Sequence, residues 1–206
     1  MKSSAIIKHV ISLRDSGNAS LAYFFFDFRD KDKKQNVRDL LASLLTQLSA
    51  YSDPCCKVIF RLHSIHGKGA QQPSIDTLIN CLTEMLKVVA HQPVYVIMDA
   101  VDECPDDISE KPTPRERVLS LVEDLARLQL PLHICVTSRP EVDIKEVLEP
   151  LAYCTVSLHD ETGQQKDISD YVRNVVYSAS DSNMGKWRGD QKDLVVEELS
   201  KKADGM

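Results

Sequence analysis

The sequence predicts an α/β fold built on a parallel sheet, and three observations carry that reading. Val94-Tyr95-Val96-Ile97-Met98 runs without a polar break into Asp99, the pattern of a strand covered on both faces. Two further apolar runs, Leu21 to Phe28 and Leu132 to Thr137, have the same character. Between them, apolar residues recur at helical spacing, and strands that alternate with helices imply right-handed βαβ units around parallel strands.

The elements follow in order. Ile6, Ile7, Val10 and Leu13 mark a helix from Ser3 to Leu13, which Asp15-Ser16-Gly17-Asn18 stops. The aromatic strand Leu21 to Phe28 comes next, then a charged loop from Arg29 to Lys34. Val37, Leu40, Leu41, Leu44, Leu45 and Leu48 form one stripe of a long amphipathic helix, with Ser52-Asp53-Pro54 as its stop. A helix over Cys55 to Ile65 breaks at His66-Gly67-Lys68-Gly69. Ser74 is placed to cap a helix whose face is Ile75, Leu78, Ile79, Leu82, Met85, Leu86 and Val89. After the central strand, Cys104 to Arg115 is acidic, holds three prolines and reads as a loop on the ligand side of the sheet. Val118, Leu119, Val122, Leu125 and Leu128 then mark a helix under the sheet, and the third strand ends in Ser138-Arg139-Pro140. A short helix from Ile144 to Leu148 leads to an expected fourth strand, Tyr153 to Leu158. Asp167 to Tyr177 is expected to be helical with Ile168, Tyr171, Val172 and Val175 inward. A polar loop from Ser178 to Gly189 and a last helix from about Gln191 close the chain.

Composition bounds the function. A chain of 206 residues with 43% hydrophobic and 27% charged residues suits one globular domain or a little more. Its net charge of −6 argues against a nucleic-acid partner bound through a basic face. No apolar run approaches the roughly 18 residues of a membrane span, and the start is amphipathic rather than a signal peptide. The six cysteines have neither CxxC nor zinc-type spacing, so a reducing, cytoplasmic setting is the expectation.

Chemistry concentrates at two strand ends. Asp99 falls at the carboxyl end of the central strand, where open α/β sheets place their ligands. With Asp102 and Glu103 behind it, that carboxylate can hold hydrated Mg²⁺ and orient a water against a phosphate, the pattern called Walker B. A buried strand ending in a solvated acidic turn would look the same. Arg139, on a neighbouring parallel strand, would lie on the same edge as Asp99 and could meet a terminal phosphate. Pairing with the acidic loop from Asp102 to Asp107 is its alternative role.

Other candidates carry less. Gly67-Lys68-Gly69 lacks the GxxxxGK[ST] spacing of a phosphate loop. Asp27, Asp30 and Asp32 lack the glycine and terminal glutamate of a calcium loop. The six histidines share no spacing, and Trp187 reads as a packing anchor in a polar loop.

Three segments in one order carry a resemblance: Ala22 to Phe28 with the Val37 to Leu45 helix, Val96 to Cys104, and Val136-Thr137-Ser138-Arg139-Pro140. Together they resemble the NACHT domain of STAND-class P-loop NTPases, most of all the nephrocystin-like group of fungal NLR-type proteins. The resemblance implies an ASCE-type P-loop NTPase fold, here lacking its first strand and phosphate loop. It implies a partial NTPase core over residues 1–177, and a linker with the truncated start of a helical lid over 178–206. By position it implies Asp99 as the magnesium residue, Asp102 and Glu103 as the acidic pair that positions the attacking water, and Arg139 as the sensor arginine.

The implied cofactors are Mg²⁺ with ATP or GTP, and the implied partners are nucleotide in the full-length protein, other proteins or further copies of the chain. The expected function is a nucleotide-dependent signal-transducing switch that binds or hydrolyses nucleotide poorly by itself. A non-catalytic protein-interaction remnant, or an incomplete gene product, is the other reading. In the family sheet the missing strand lies between those ending at Thr137 and Leu158, so its loss would leave unpaired backbone groups there.

Overall fold

Three parallel strands form the sheet in the order β1-β2-β3, with β1 at Ser20–Phe25, β2 at Val94–Asp99 and β3 at Leu132–Val136. Register pairs Phe25 with Asp99 and Met98 with Val136, so the three carboxyl ends share one edge. The computed structural model describes residues 2–29, 36–106, 111–156, 162–177 and 187–202. It divides the chain into two compact units, Met1–Ala152 and Tyr153–Met206.

In the first unit, alternation along the strands feeds two cores. Ala22, Phe24, Phe26, Val94, Val96 and Met98 point to the larger one. They meet α2 (Val37–Ala50), α3 (Asp53–Ile65), α4 (Ile75–Val89) and α5 (Pro114–Ala126). Leu40, Leu41, Leu44, Leu82 and Leu86 are fully buried there, and each such side chain contributes on the order of 1.5–3 kcal/mol. Leu21 and Ile97 point the other way, onto Ile7 and Val10 of α1 (Lys2–Asp15). A helix ahead of the first strand therefore covers the second face of the sheet.

Caps explain where the helices begin. Asn36 caps α2 through Asp39 N–H, and Ser74 caps α4 through Thr77 N–H, as its position predicts. Ser52 accepts from Cys55 N–H and starts α3, with Asp53 and Pro54 already in its first turn. The Ser-Asp-Pro segment is thus a start signal as well as a stop, because a proline in the first turn loses no helical bond. For the same reason α5 begins at Pro114 inside the expected loop, behind a capping box between Thr113 and Glu116.

The outer edge of β1 is covered by a side chain. Gln47 of α2 donates from Nε2 to Tyr23 O at 2.7 Å and accepts Tyr23 N–H on Oε1 at 3.1 Å. Its amide takes the place of a neighbouring strand. At the other edge, β3 pairs with β2 alone among the described residues. The expected fourth strand does not form over residues 153–156: Tyr153 and Cys154 are exposed, and no neighbouring strand pairs with this segment. Residues 157 and 158 of that expectation, with Asp30 and Asp32 of the charged loop, lie outside the described residues.

Within the second unit, α7 (Thr162–Tyr177) and α8 (Gly189–Lys202) form a helical pair. Val176 and Val196 are buried, whereas Tyr171 and Val175, expected inward, are exposed. The inward face runs through Ile168, Val172 and Val176, one residue round from the expected one. Trp187 is 42% exposed. Among the described residues, no helix is long and apolar enough to cross a membrane.

Candidate functional site: an acid and arginine rim

Parallel strands put the side chains that follow β1, β2 and β3 on one rim, and the structure brings Asp99, Asp102, Glu103 and Arg139 together there. Asp99 ends β2 and is 94% buried. A carboxylate so buried needs a partner, and Thr137, just past β3, supplies it: Oγ1 donates to Asp99 Oδ1 at 2.6 Å. The same hydroxyl oxygen accepts Ala100 N–H at 3.0 Å.

Ala100 then turns the chain sharply. Its φ of 58° and ψ of 49° lie in the left-handed region, which costs a residue with a Cβ about 1–2 kcal/mol. Bonds on both sides hold it there, since Val101 N–H reaches Thr137 O and Glu103 N–H reaches Ala100 O. The reversal opens a 3-10 turn, Val101–Glu103, that carries both remaining acids. Val101 is fully buried and roots this turn in the core.

Both acids have protein partners. Asp102 accepts Arg139 N–H on Oδ1 at 3.0 Å, and its Oδ2 lies 3.4 Å from Arg139 Nε. Its side chain is 9% exposed and that of Arg139 is 75% exposed, so a nearly buried acid holds an arginine that otherwise reaches into solvent. Glu103 accepts Phe28 N–H on Oε2 at 3.1 Å, which ties the turn to the chain leaving β1. β1 itself ends at Phe25, short of the expected Phe28: Phe26 N–H still bonds Asp99 O, and Phe28 N–H goes to the Glu103 side chain instead of a strand. Nearby, Asp27 pairs with Arg29.

Behind the rim, burial pushes the Cys104 thiol up to about 12, with the Arg115 charge opposing and Asp106 adding to the rise. Burial also raises Cys135, helped by the Asp99 carboxylate. Among the described residues no group of three or more histidine, cysteine or acidic side chains is arranged to hold a metal ion. The Gly67–Gly69 segment is a short 3-10 turn following α3.

The rim's order along the chain can be compared with known families. The family model described as Nephrocystin 3, N-terminal matches residues 1–139, from the first helix to the rim arginine. The chain belongs to this family. No curated protein and no solved structure matches the chain. The family match takes in Asp99, Asp102, Glu103 and Arg139 alike. Two residues of the rim carried no role in the sequence reading. Thr137 precedes Ser138-Arg139 in the chain, and a hydroxyl at a strand end was its only signal. Arg115 had none beyond standing next to Pro114 in an acidic loop.

Proposed function

We propose that this rim is the metal and terminal-phosphate side of a nucleotide site, and that the chain is part of a STAND-class, NACHT-type switch. The Asp102–Arg139 contact across the ends of β2 and β3 supports this reading by its place, and as an ion pair it is also the alternative role expected for Arg139. It joins a strand-end acid group to a strand-end guanidinium on adjacent parallel strands, where α/β sheets bind their ligands.

The donor set fits Mg²⁺, which takes one or two carboxylates and completes its shell with water and phosphate oxygens. Asp99 would hold it, with one carboxylate oxygen fixed by Thr137. When bound, Mg²⁺ would neutralise charge on the β- and γ-phosphates of ATP or GTP. Asp102 and Glu103 would orient the attacking water, and Arg139 would exchange Asp102 for a terminal phosphate. The 206 residues contain no GxxxxGK[ST] loop to cradle the phosphates, so binding by this chain is weak.

A second reading, a module acting through protein contacts without catalysis, draws on the same geometry: Asp102 and Arg139 already satisfy each other, and Glu103 already holds Phe28 N–H. Titration with fluorescent ATP and GTP analogues, with and without Mg²⁺, separates the two. The switch reading expects weak binding with a Mg²⁺-dependent part that Asp99→Asn removes. Binding tighter than about 1 μM would refute the expectation of weakness. Binding indifferent to Mg²⁺ and to Asp99→Asn would refute the metal assignment. No binding at all would favour the interaction module.

A further inference from the structure

We propose that Arg115 is the positioning residue of the rim, a buried guanidinium that sets where Asp102 and Arg139 stand relative to each other. The inference deepens the nucleotide-site reading and rests on it for its meaning, though its geometry stands apart from any ligand. Arg115 lies in the first turn of α5, placed there by the Thr113–Glu116 capping box. Its side chain is 13% exposed, and each of its three guanidinium nitrogens donates a bond. Nη2 donates to Asp102 O at 2.8 Å, Nε to Cys104 O at 3.1 Å, and Nη1 to Asp143 Oδ2 at 3.2 Å. Its backbone N–H reaches Pro105 O at 3.1 Å as well.

These acceptors belong to two segments. Asp102 and Cys104 are the acid turn and its exit. Asp143 is in the first turn of α6 (Val142–Leu148), four residues after Arg139. A single side chain therefore fixes the main chain under one member of the Asp102–Arg139 pair and the helix that follows the other. The pair closes the loop from the far side. Arg115 bonds the Asp102 carbonyl, not its carboxylate, so it acts on the acid only through the backbone. The planar fork meets two carbonyls and a carboxylate from three separate nitrogens, whereas the three N–H groups of a lysine share one nitrogen.

The test is amide hydrogen exchange by NMR on the full chain without nucleotide. The reporters are Arg139 N–H, bonded to Asp102, and Phe28 N–H, bonded to Glu103. In Arg115→Gln and Arg115→Lys, Arg139 exchange is expected to rise about tenfold or more and Phe28 exchange to rise with it. Thr137 N–H and Phe26 N–H, both bonded to β2, are expected to keep their protection. A uniform rise at all four amides would show a general structural role and overturn the proposal, as would no change at Arg139. If Arg115→Gln and Arg115→Lys fail to fold, Asp143→Ala, which removes a half-exposed partner of the fork, decides in their place. A severalfold rise confined to the rim supports positioning, and unchanged rim exchange refutes it. Nucleotide titration with and without Mg²⁺ keeps the two readings apart. Loss of the Mg²⁺-dependent part in wild type removes the nucleotide site but leaves the exchange result standing.

Discussion

Thr137 and Asp99 are joined by a 2.6 Å bond from hydroxyl to carboxylate, although 38 residues separate them in the chain. The hydroxyl does two things at once. Its proton goes to Asp99 Oδ1 and its oxygen accepts Ala100 N–H. The rim acid is thereby aimed from the neighbouring strand, and the left-handed turn after it is held in place. A short bond to a charged, buried acceptor is among the stronger kinds.

Thr137→Val keeps the shape and removes the hydroxyl. Asp99 and Ala100 N–H would both lose a partner in a nearly buried place, so the variant should lose about 2–3 kcal/mol of stability. Thr137→Ser retains the hydroxyl and should lose well under half of that. Urea unfolding followed by circular dichroism measures both. Equal losses in the two variants would mean that the methyl group, not the bond, carries the stability.

Gln47 is the corresponding device at the other edge of the sheet. Gln47→Leu removes both bonds to Tyr23 and leaves a strand N–H and C=O uncovered. A loss of about 2 kcal/mol is expected, together with a tendency to associate through the bared β1 edge. Urea midpoints and sedimentation velocity check the two halves separately. Gln47→Glu, which sets a carboxylate oxygen against Tyr23 O, should lose at least as much.

Which of these features could be read from residues alone follows from their range. The run from Val94 to Asp99 announced its strand because the signal is local and unbroken, and the leucine stripe of α2 announced its buried face for the same reason. Pro54 and Pro114 misled at the boundaries, because a proline stops one helix and starts the next with equal ease. On α7, valines at 175 and 176 left the stripe ambiguous by one position, and packing chose Val176. At the rim, acids and arginine stood out by type and by their place at strand ends. The bonds that aim them join residues 37 to 75 positions apart and leave no periodic trace.

Ala100 gives a prediction of the opposite sign. At φ 58° its Cβ is strained, and glycine would relieve that strain at some cost in chain entropy. Ala100→Gly should therefore gain about 0.5–1 kcal/mol, and Ala100→Val should lose more than 1 kcal/mol, roughly, because branching worsens the same clash. Thermal unfolding ranks the three. A glycine variant less stable than wild type would indicate that contacts of the Ala100 methyl outweigh the strain.

Cys104 supplies a test in pH. Its thiol is fully buried and pushed up to about 12 from an ordinary value of 9.0, with burial as the main cause. The unfolded chain loses this proton first as pH rises. The stability tied to the neutral thiol is thus fully present below pH 9, falls as pH climbs above it, and is gone once pH passes the folded value near 12. Between pH 9 and 11, wild type should lose stability more steeply than Cys104→Ala, even though the alanine variant begins lower because of its cavity. Urea midpoints for the two proteins across that range give the difference in slope. The same burial predicts that iodoacetamide at pH 8 labels the exposed Cys154 first and leaves Cys104, Cys81 and Cys55 unmodified in the folded chain. Parallel slopes together with rapid labelling of Cys104 would mean that the acid turn opens readily from the core, and that the rim it carries is not rigid.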